Sequence, residues 1–198
     1  RAENSSSKVA AGIINPITGQ RMAKTWHADE LFPFADKTYM ELEDFLGIKI
    51  IQKINILRVL NSTFEQNEWL AKSLDPLYEK YMKNKIVFLN DANIHAPFGF
   101  GEITCSCIVN LKQIIKSMHD KLLAMGCLFE DKIIYSQIKI ENEVTWKNYS
   151  AEKIIFCEGV GATDNPFFNY LPFIPSKGEI VTIKCDELHL DSIISKGI

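Results

Sequence analysis

Potential chemistry is most concentrated near the start of the chain. Ser5-Ser6-Ser7 offers consecutive hydroxyls, Val9-Ala10-Ala11-Gly12-Ile13 is a run of mostly small residues, and Asn15-Pro16-Ile17-Thr18-Gly19-Gln20-Arg21 is a Pro/Gly break ending in a cation. Hydroxyls and free backbone N–H groups where a turn enters a helix can hold a phosphate. Small side chains let the backbone approach a ligand or a neighbour closely. The residue before a proline avoids the α region, so Asn15-Pro16 predicts the end of a short helix. An ordinary serine-rich segment running into a short helix has the same pattern, and locally both readings stand.

Other reactive side chains are scattered. Arg58 lies inside the apolar run Ile48–Leu60, where it reads either as a carboxylate anchor or as a solvated strand-edge cation. Cys105 and Cys107 sit two apart in an expected strand and share a face, but no paired Cys or His motif follows, so no metal site is predicted. With Cys127, Cys157 and Cys185 they make five, an odd number without framework spacing. That usage predicts reduced, mostly buried thiols in a cytoplasmic protein. Phe98-Gly99-Phe100-Gly101 lacks the third glycine and following helix of a dinucleotide fingerprint and reads as a turn or bulge.

The elements that must position these residues follow from periodicity. Ala35, Tyr39, Leu42 and Leu46 predict a helix from Ala35 that Gly47 ends; Ile48–Leu60 predicts one strand or two short ones. Ser62-Thr63-Phe64-Glu65 is a capping box opening a helix through Trp69 and Leu70, which Asp75-Pro76 interrupts before a second piece with Leu77, Tyr78, Tyr81 and Met82. Ile86–Leu89 predicts a short buried strand, Asn90–Gly101 a loop and Glu102–Val109 an alternating strand. Asn110 caps the clearest helix, carried by Leu111, Ile114, Ile115, Met118 and Leu122 and closed by Gly126. Further strands are expected at Cys127–Phe129, Ile133–Ile140, Glu143–Trp146, Ile154–Gly161 and Gly178–Cys185.

Composition narrows the class. With 46% hydrophobic and 24% charged residues, the 198-residue chain suits one large domain or two small lobes. A net charge of −3 argues against nucleic acid or an anionic membrane surface as partner. No apolar run reaches the roughly 18 residues a membrane span needs, and no secretory signal is visible at the start. The abrupt start at Arg1 and the stop after Ser195-Lys196-Gly197 read as a piece cut from a longer chain.

Two distant stretches resemble one family. Ser5–Ile13 is similar to the segment after the second strand of the flavin domain in FAD-dependent oxidoreductases of the D-amino-acid oxidase and glycine oxidase-like type. Ile154-Ile155-Phe156-Cys157-Glu158-Gly159-Val160-Gly161-Ala162 resembles that family's later strand and glycine turn, and Pro175–Val181 the strand after it. The resemblance implies FAD as cofactor, with Ser5, Ser6 and Ser7 beside its pyrophosphate and ribose. It places Ala10, Ala11, Gly12 and Ile13 along the isoalloxazine ring. It also implies that Arg21 and Lys24 are cations near the flavin, that Cys157, Gly159 and Gly161 form a cofactor-facing turn, and that Ile138 packs on adenine. A cation there would stabilise negative charge on the reduced ring.

The departures matter as well. The family's Gly-x-Gly-x-x-Gly fingerprint is absent, and Glu3 stands too close to the Ala-Ala-Gly run to be its ribose-binding acid. Without that phosphate-cradling turn the piece itself is expected not to retain FAD. The expected architecture is α+β, a mixed or antiparallel sheet flanked by helices as in a flavin-oxidoreductase substrate domain, with incomplete Rossmann-like elements. Residues 1–28 and 151–164 would belong to the FAD-binding part, 29–150 and 165–198 to the substrate lobe. The implied activity is oxidation of a small-molecule amine or amino acid, with Arg58 as a substrate-binding candidate and no catalytic residue assigned. The competing reading is a non-catalytic interaction module using the aromatic run Phe167–Phe173 as its contact surface.

Overall fold

A computed structural model describes residues 5–91 and 93–196; Glu3, discussed above, and the final Gly197-Ile198 lie outside the described residues. In chain order the elements are α1 (Ser6–Val9), β1 (Ile13–Ile14), β2 (Ile17–Thr18), β3 (Ala23–Lys24), α2 (Ala28–Leu46), β4 (Ile51–Lys53) and β5 (Ile56–Val59). Then come α3 (Thr63–Ser73), β6 (Met82–Val87), β7 (Phe100–Ile103), β8 (Cys107–Val109), α4 (Leu111–Ala124), β9 (Ile138–Ile140), β10 (Val144–Trp146), β11 (Tyr149–Ala151) and β12 (Ile193–Ser195). Two compact units emerge, one of 1–124 with 180–198 and one of 125–179.

The first unit holds a mixed four-stranded sheet ordered β12-β5-β7-β6, in which β12 runs parallel and β7 antiparallel to β5. A separate antiparallel sheet is ordered β1-β8-β4, and β2 and β3 form a hairpin. Helix α3 packs on β6, with the Trp69 indole N–H donating to the Lys83 carbonyl at 2.9 Å. Trp69, Leu60, Tyr81, Met82, Ile56 and Ile103 are nearly or fully inaccessible and anchor the core. The second unit contains the antiparallel meander β11-β10-β9. The architecture is α+β, with mixed and antiparallel sheets and flanking helices.

Helix α2 begins earlier than its periodicity predicts, at Ala28 rather than Ala35, and carries Pro33 inside it. Pro33 forfeits one helical hydrogen bond. Burial of Ala28 and packing of Phe32 against the core outweigh that loss, and Asp29 and Glu30 in the first turn favour the helix N-terminus. Gly47 ends the helix as expected, with a left-handed φ of 67° and its N–H bonded to the Glu43 carbonyl. The Ile48–Leu60 run is two short strands, β4 and β5. Ser62 accepts the Glu65 N–H at 3.2 Å, while the Glu65 carboxylate reaches the Asn61 N–H rather than Ser62. Asn110 caps α4 by accepting the Gln113 N–H at 3.0 Å.

Several expectations are corrected. The thiols are not mostly buried, since Cys105, Cys127, Cys157 and Cys185 are exposed and Cys107 alone is buried, and Cys127–Phe129 forms no strand. The second helical piece is a set of turns bonded from Asp75 to Met82, where Pro76 breaks the helix and β6 follows at once. Strand β6 replaces the Ile86–Leu89 strand and lies on the sheet edge, with Lys83 and Lys85 exposed along it and Phe88 outside it. Glu102–Val109 breaks at Cys105, whose φ is 57°, so Cys105 is exposed and Cys107 buried instead of both sharing a strand face. Ile154–Gly161 and Gly178–Cys185 are not strands. These apolar runs have no ladder partner, and Ile155 is 84% exposed.

Candidate functional site

The Ser5–Gly12 segment is built as a single helical turn followed by extended chain. Ser5 has extended dihedrals and caps nothing with its side chain, and Ser6 and Ser7 are exposed. Ala10 and Ala11 then run exposed into Gly12. Gly12 has a φ of 71°, and a Cβ on it would stand 2.0 Å from the Val109 carbonyl oxygen. Its own carbonyl accepts the Val109 N–H at 2.9 Å. A glycine is therefore demanded here by the close approach of β8. Beyond it, β1 pairs Ile13 with Ile108 and Ile14 with Cys107, and Gln52 and Lys53 on β4 continue the same two rows.

Because successive strand residues point to opposite faces, this small sheet has two differently used sides. Along the strands β4 and β8 lies an open groove of about 330 Å³, lined by Gln52 and Ile108 and bordered by Ala10 and Ala11, with Lys49 and Lys112 at its edges. On the side of Ile14, Cys107 and Lys53 lies a second cleft of about 360 Å³ under the start of α2.

Glu43, on α2, fixes the groove's far wall. It is buried, and its carboxylate accepts the N–H groups of Ile50 and Ile51 and the Lys49 ammonium at 2.7, 3.1 and 2.7 Å. The Lys49 hydrogen bond first, then the two amides, hold its pKa down to about 2.

The hairpin carrying Arg21 and Lys24 is clamped by two cations. Arg58 donates from Nη1 to the Gly19 carbonyl at 2.8 Å and from Nη2 to the Gln20 carbonyl at 3.1 Å. Lys72 Nζ donates to the carbonyls of Arg21 and Met22 at 2.7 and 3.1 Å. Arg58 is neither solvated nor at an edge. It is 5% exposed on an inner strand, opposite Gly101, and its Nε is buried without a partner. Burial lowers its pKa, but a guanidinium stays charged throughout the working range.

Lys24 pairs with Asp29 at 2.6 Å, and the Tyr81 hydroxyl donates to the other Asp29 oxygen at 2.5 Å. The Lys24 hydrogen bond foremost, then Tyr81, keeps the Asp29 carboxyl low, while burial pushes the Tyr81 phenol up.

The remaining candidates belong to the second unit. Ile138 is buried on β9, Cys157 and Gly159 are exposed, and Gly159 opens a 3₁₀ turn, Gly159–Asp164, with a φ of 59°. A Cβ on Gly161 would meet only an ordinary contact, so its glycine has no steric cause there. Glu158 organises this turn by accepting the Tyr135 hydroxyl at 2.6 Å and the fully buried Asn165 amide at 2.5 Å. Sequence reasoning passed over Glu158 because one acid between a cysteine and a glycine carries no periodic signal. It also missed Asp29, Glu43 and Lys72, whose partners lie several to many residues away.

Among the described residues no group of three or more His, Cys, Asp or Glu side chains is arranged to hold a metal ion, and no helix is long and apolar enough to cross a membrane. No protein-family model matches the chain, and no solved structure matches it significantly.

Proposed function

We propose that this chain is part of an FAD-dependent oxidoreductase that oxidises a small amine or amino acid. The observation that carries the reading is the segment Ser5–Gly12. Ser6 and Ser7 are exposed, Ala10 and Ala11 border the groove, and Gly12 is locked to β8, so the segment itself presents only small side chains on which a planar ring would lie. The flavin would supply the hydride acceptor, and the protein orientation and electrostatics. In this reading Ser5, Ser6 and Ser7 hold the cofactor's phosphate and ribose end. The clamp of Arg58 and Lys72 keeps the hairpin bearing Arg21 and Lys24 in one place. The substrate loses a C–H hydride and an N–H proton, and the resulting imine hydrolyses. The free thiols favour a reducing compartment, the cytoplasm.

The test uses the parent protein purified in the presence of FAD. It is expected to be yellow and to bleach anaerobically with its amine substrate, and Ala11→Leu is expected to weaken FAD binding at least tenfold by filling the groove. A colourless parent that takes up no FAD overturns the assignment. The exposure of Tyr170 (76%) and Ile174 (91%) favours a second reading, an interaction module without redox chemistry. A chain that sediments as a monomer and binds no partner rules against it.

A further inference from the structure

The cleft on the Cys107 side of the β1-β8-β4 sheet is constructed independently of the flavin reading. Its floor is one cross-strand row, Ile14 on β1, Cys107 on β8 and Lys53 on β4, set side by side by the strand register. Its roof is the first part of α2, where Phe32, Ala35 and Asp36 fall on one helical face beside Pro33. Tyr81, with Lys80 and Cys105, closes the third side. At about 360 Å³ it falls at the small end of the range for small-molecule sites, roughly 300–1,000 Å³.

The charges around this cleft are asymmetric. Lys53 and Lys80 stand at its mouth, and the single carboxylate there, Asp36, is already held by Lys53 at 2.5 Å. Asp29, outside the lining, is committed to Lys24 and the Tyr81 hydroxyl and lies 3.9 Å from the Lys80 ammonium. Burial keeps the Cys107 thiol protonated and neutral. The lining carries two ammoniums, Lys53 and Lys80, against the one carboxylate of Asp36, and because both lysines' ion pairs are exposed and cheap to exchange, the balance of charge favours an anion. The apolar floor and roof select an apolar body behind that anionic head.

We propose that this cleft is a binding site for a small amphipathic monocarboxylate, its apolar part between Ile14, Phe32 and Cys107 and its carboxylate at Lys53 and Lys80. The probe pair is phenylacetate and its uncharged analogue phenylacetamide, titrated into the purified chain without FAD. Binding is read from the Ile14 methyl resonance and from the alkylation rate of Cys105 at the mouth. Phenylacetate is expected to shift Ile14 saturably, to slow Cys105 alkylation, and to bind at least tenfold more tightly than phenylacetamide. The double variant Lys53→Met, Lys80→Met changes only exposed side chains. It should cost phenylacetate about tenfold in affinity and leave phenylacetamide unchanged. Equal affinity for the two probes, no saturable shift of Ile14, or indifference to the double variant would each overturn the proposal. Because no flavin is present, none of these outcomes depends on the FAD assignment.

Discussion

Gly12 and Gly101 look alike in the sequence and differ in what they accommodate. Gly12 meets the backbone of β8, whereas a Cβ on Gly101 would stand 2.2 Å from the Trp69 indole at the centre of the core. Gly101→Ala must displace the fully buried Trp69 and its bond to the Lys83 carbonyl. It is expected to cost about 3 kcal/mol, the upper range for overpacking, measured by urea unfolding; a cost below ~0.5 kcal/mol would contradict the packing described. Little of this was legible in advance. Gly101 read as part of a loop, and Arg58 offered only a choice between anchor and solvated cation. Its actual partners, the carbonyls of Gly19 and Gln20, are backbone groups that no side-chain pattern announces.

At the level of elements, Glu43 ties α2 to the start of β4. Its folded-state pKa lies below its ordinary value, so its contribution is fully present above about pH 4.5 and is lost as pH falls through about 2. Glu43→Gln keeps an acceptor for the Ile50 and Ile51 amides but loses the charge facing Lys49. The variant should therefore be less stable at pH 7, and the gap to the parent chain should narrow between pH 4.5 and 2, as followed by urea midpoints. A constant gap across that window would show that the charge is not what matters. Elements with strong local signals were readable: Ser62 and Asn110 at helix starts, Gly47 at a helix end, and the apolar repeat of α4. Where tertiary contacts decide, reading failed. The buried Ala28 extends α2 through Pro33, the left-handed Cys105 splits a strand, and the Ile154–Gly161 run lacks the neighbour a ladder requires.

For the molecule as a whole, the α+β class was legible from alternating helical and strand periods, but the pairing that completes the main sheet was not. Strand β5 is inner, with Ile56 and Leu57 buried, while residues 172–185 carry exposed apolar side chains without regular pairing. Hydrogen exchange is expected to be slowest at β5 and β7 amides and fast from Ile180 to Lys184; comparable protection in both places would refute that ranking.

Strand β12 joins β5 in parallel although residues 60–192 separate the two in sequence, and Ile193 donates to the Asn55 carbonyl at 3.0 Å. During synthesis, β5 must leave the ribosome with one edge bare and wait for residues 60–192 to follow before that edge is covered. A nascent chain stalled before Ile193 would thus present a sticky strand flank, the circumstance in which a chaperone has the most to do.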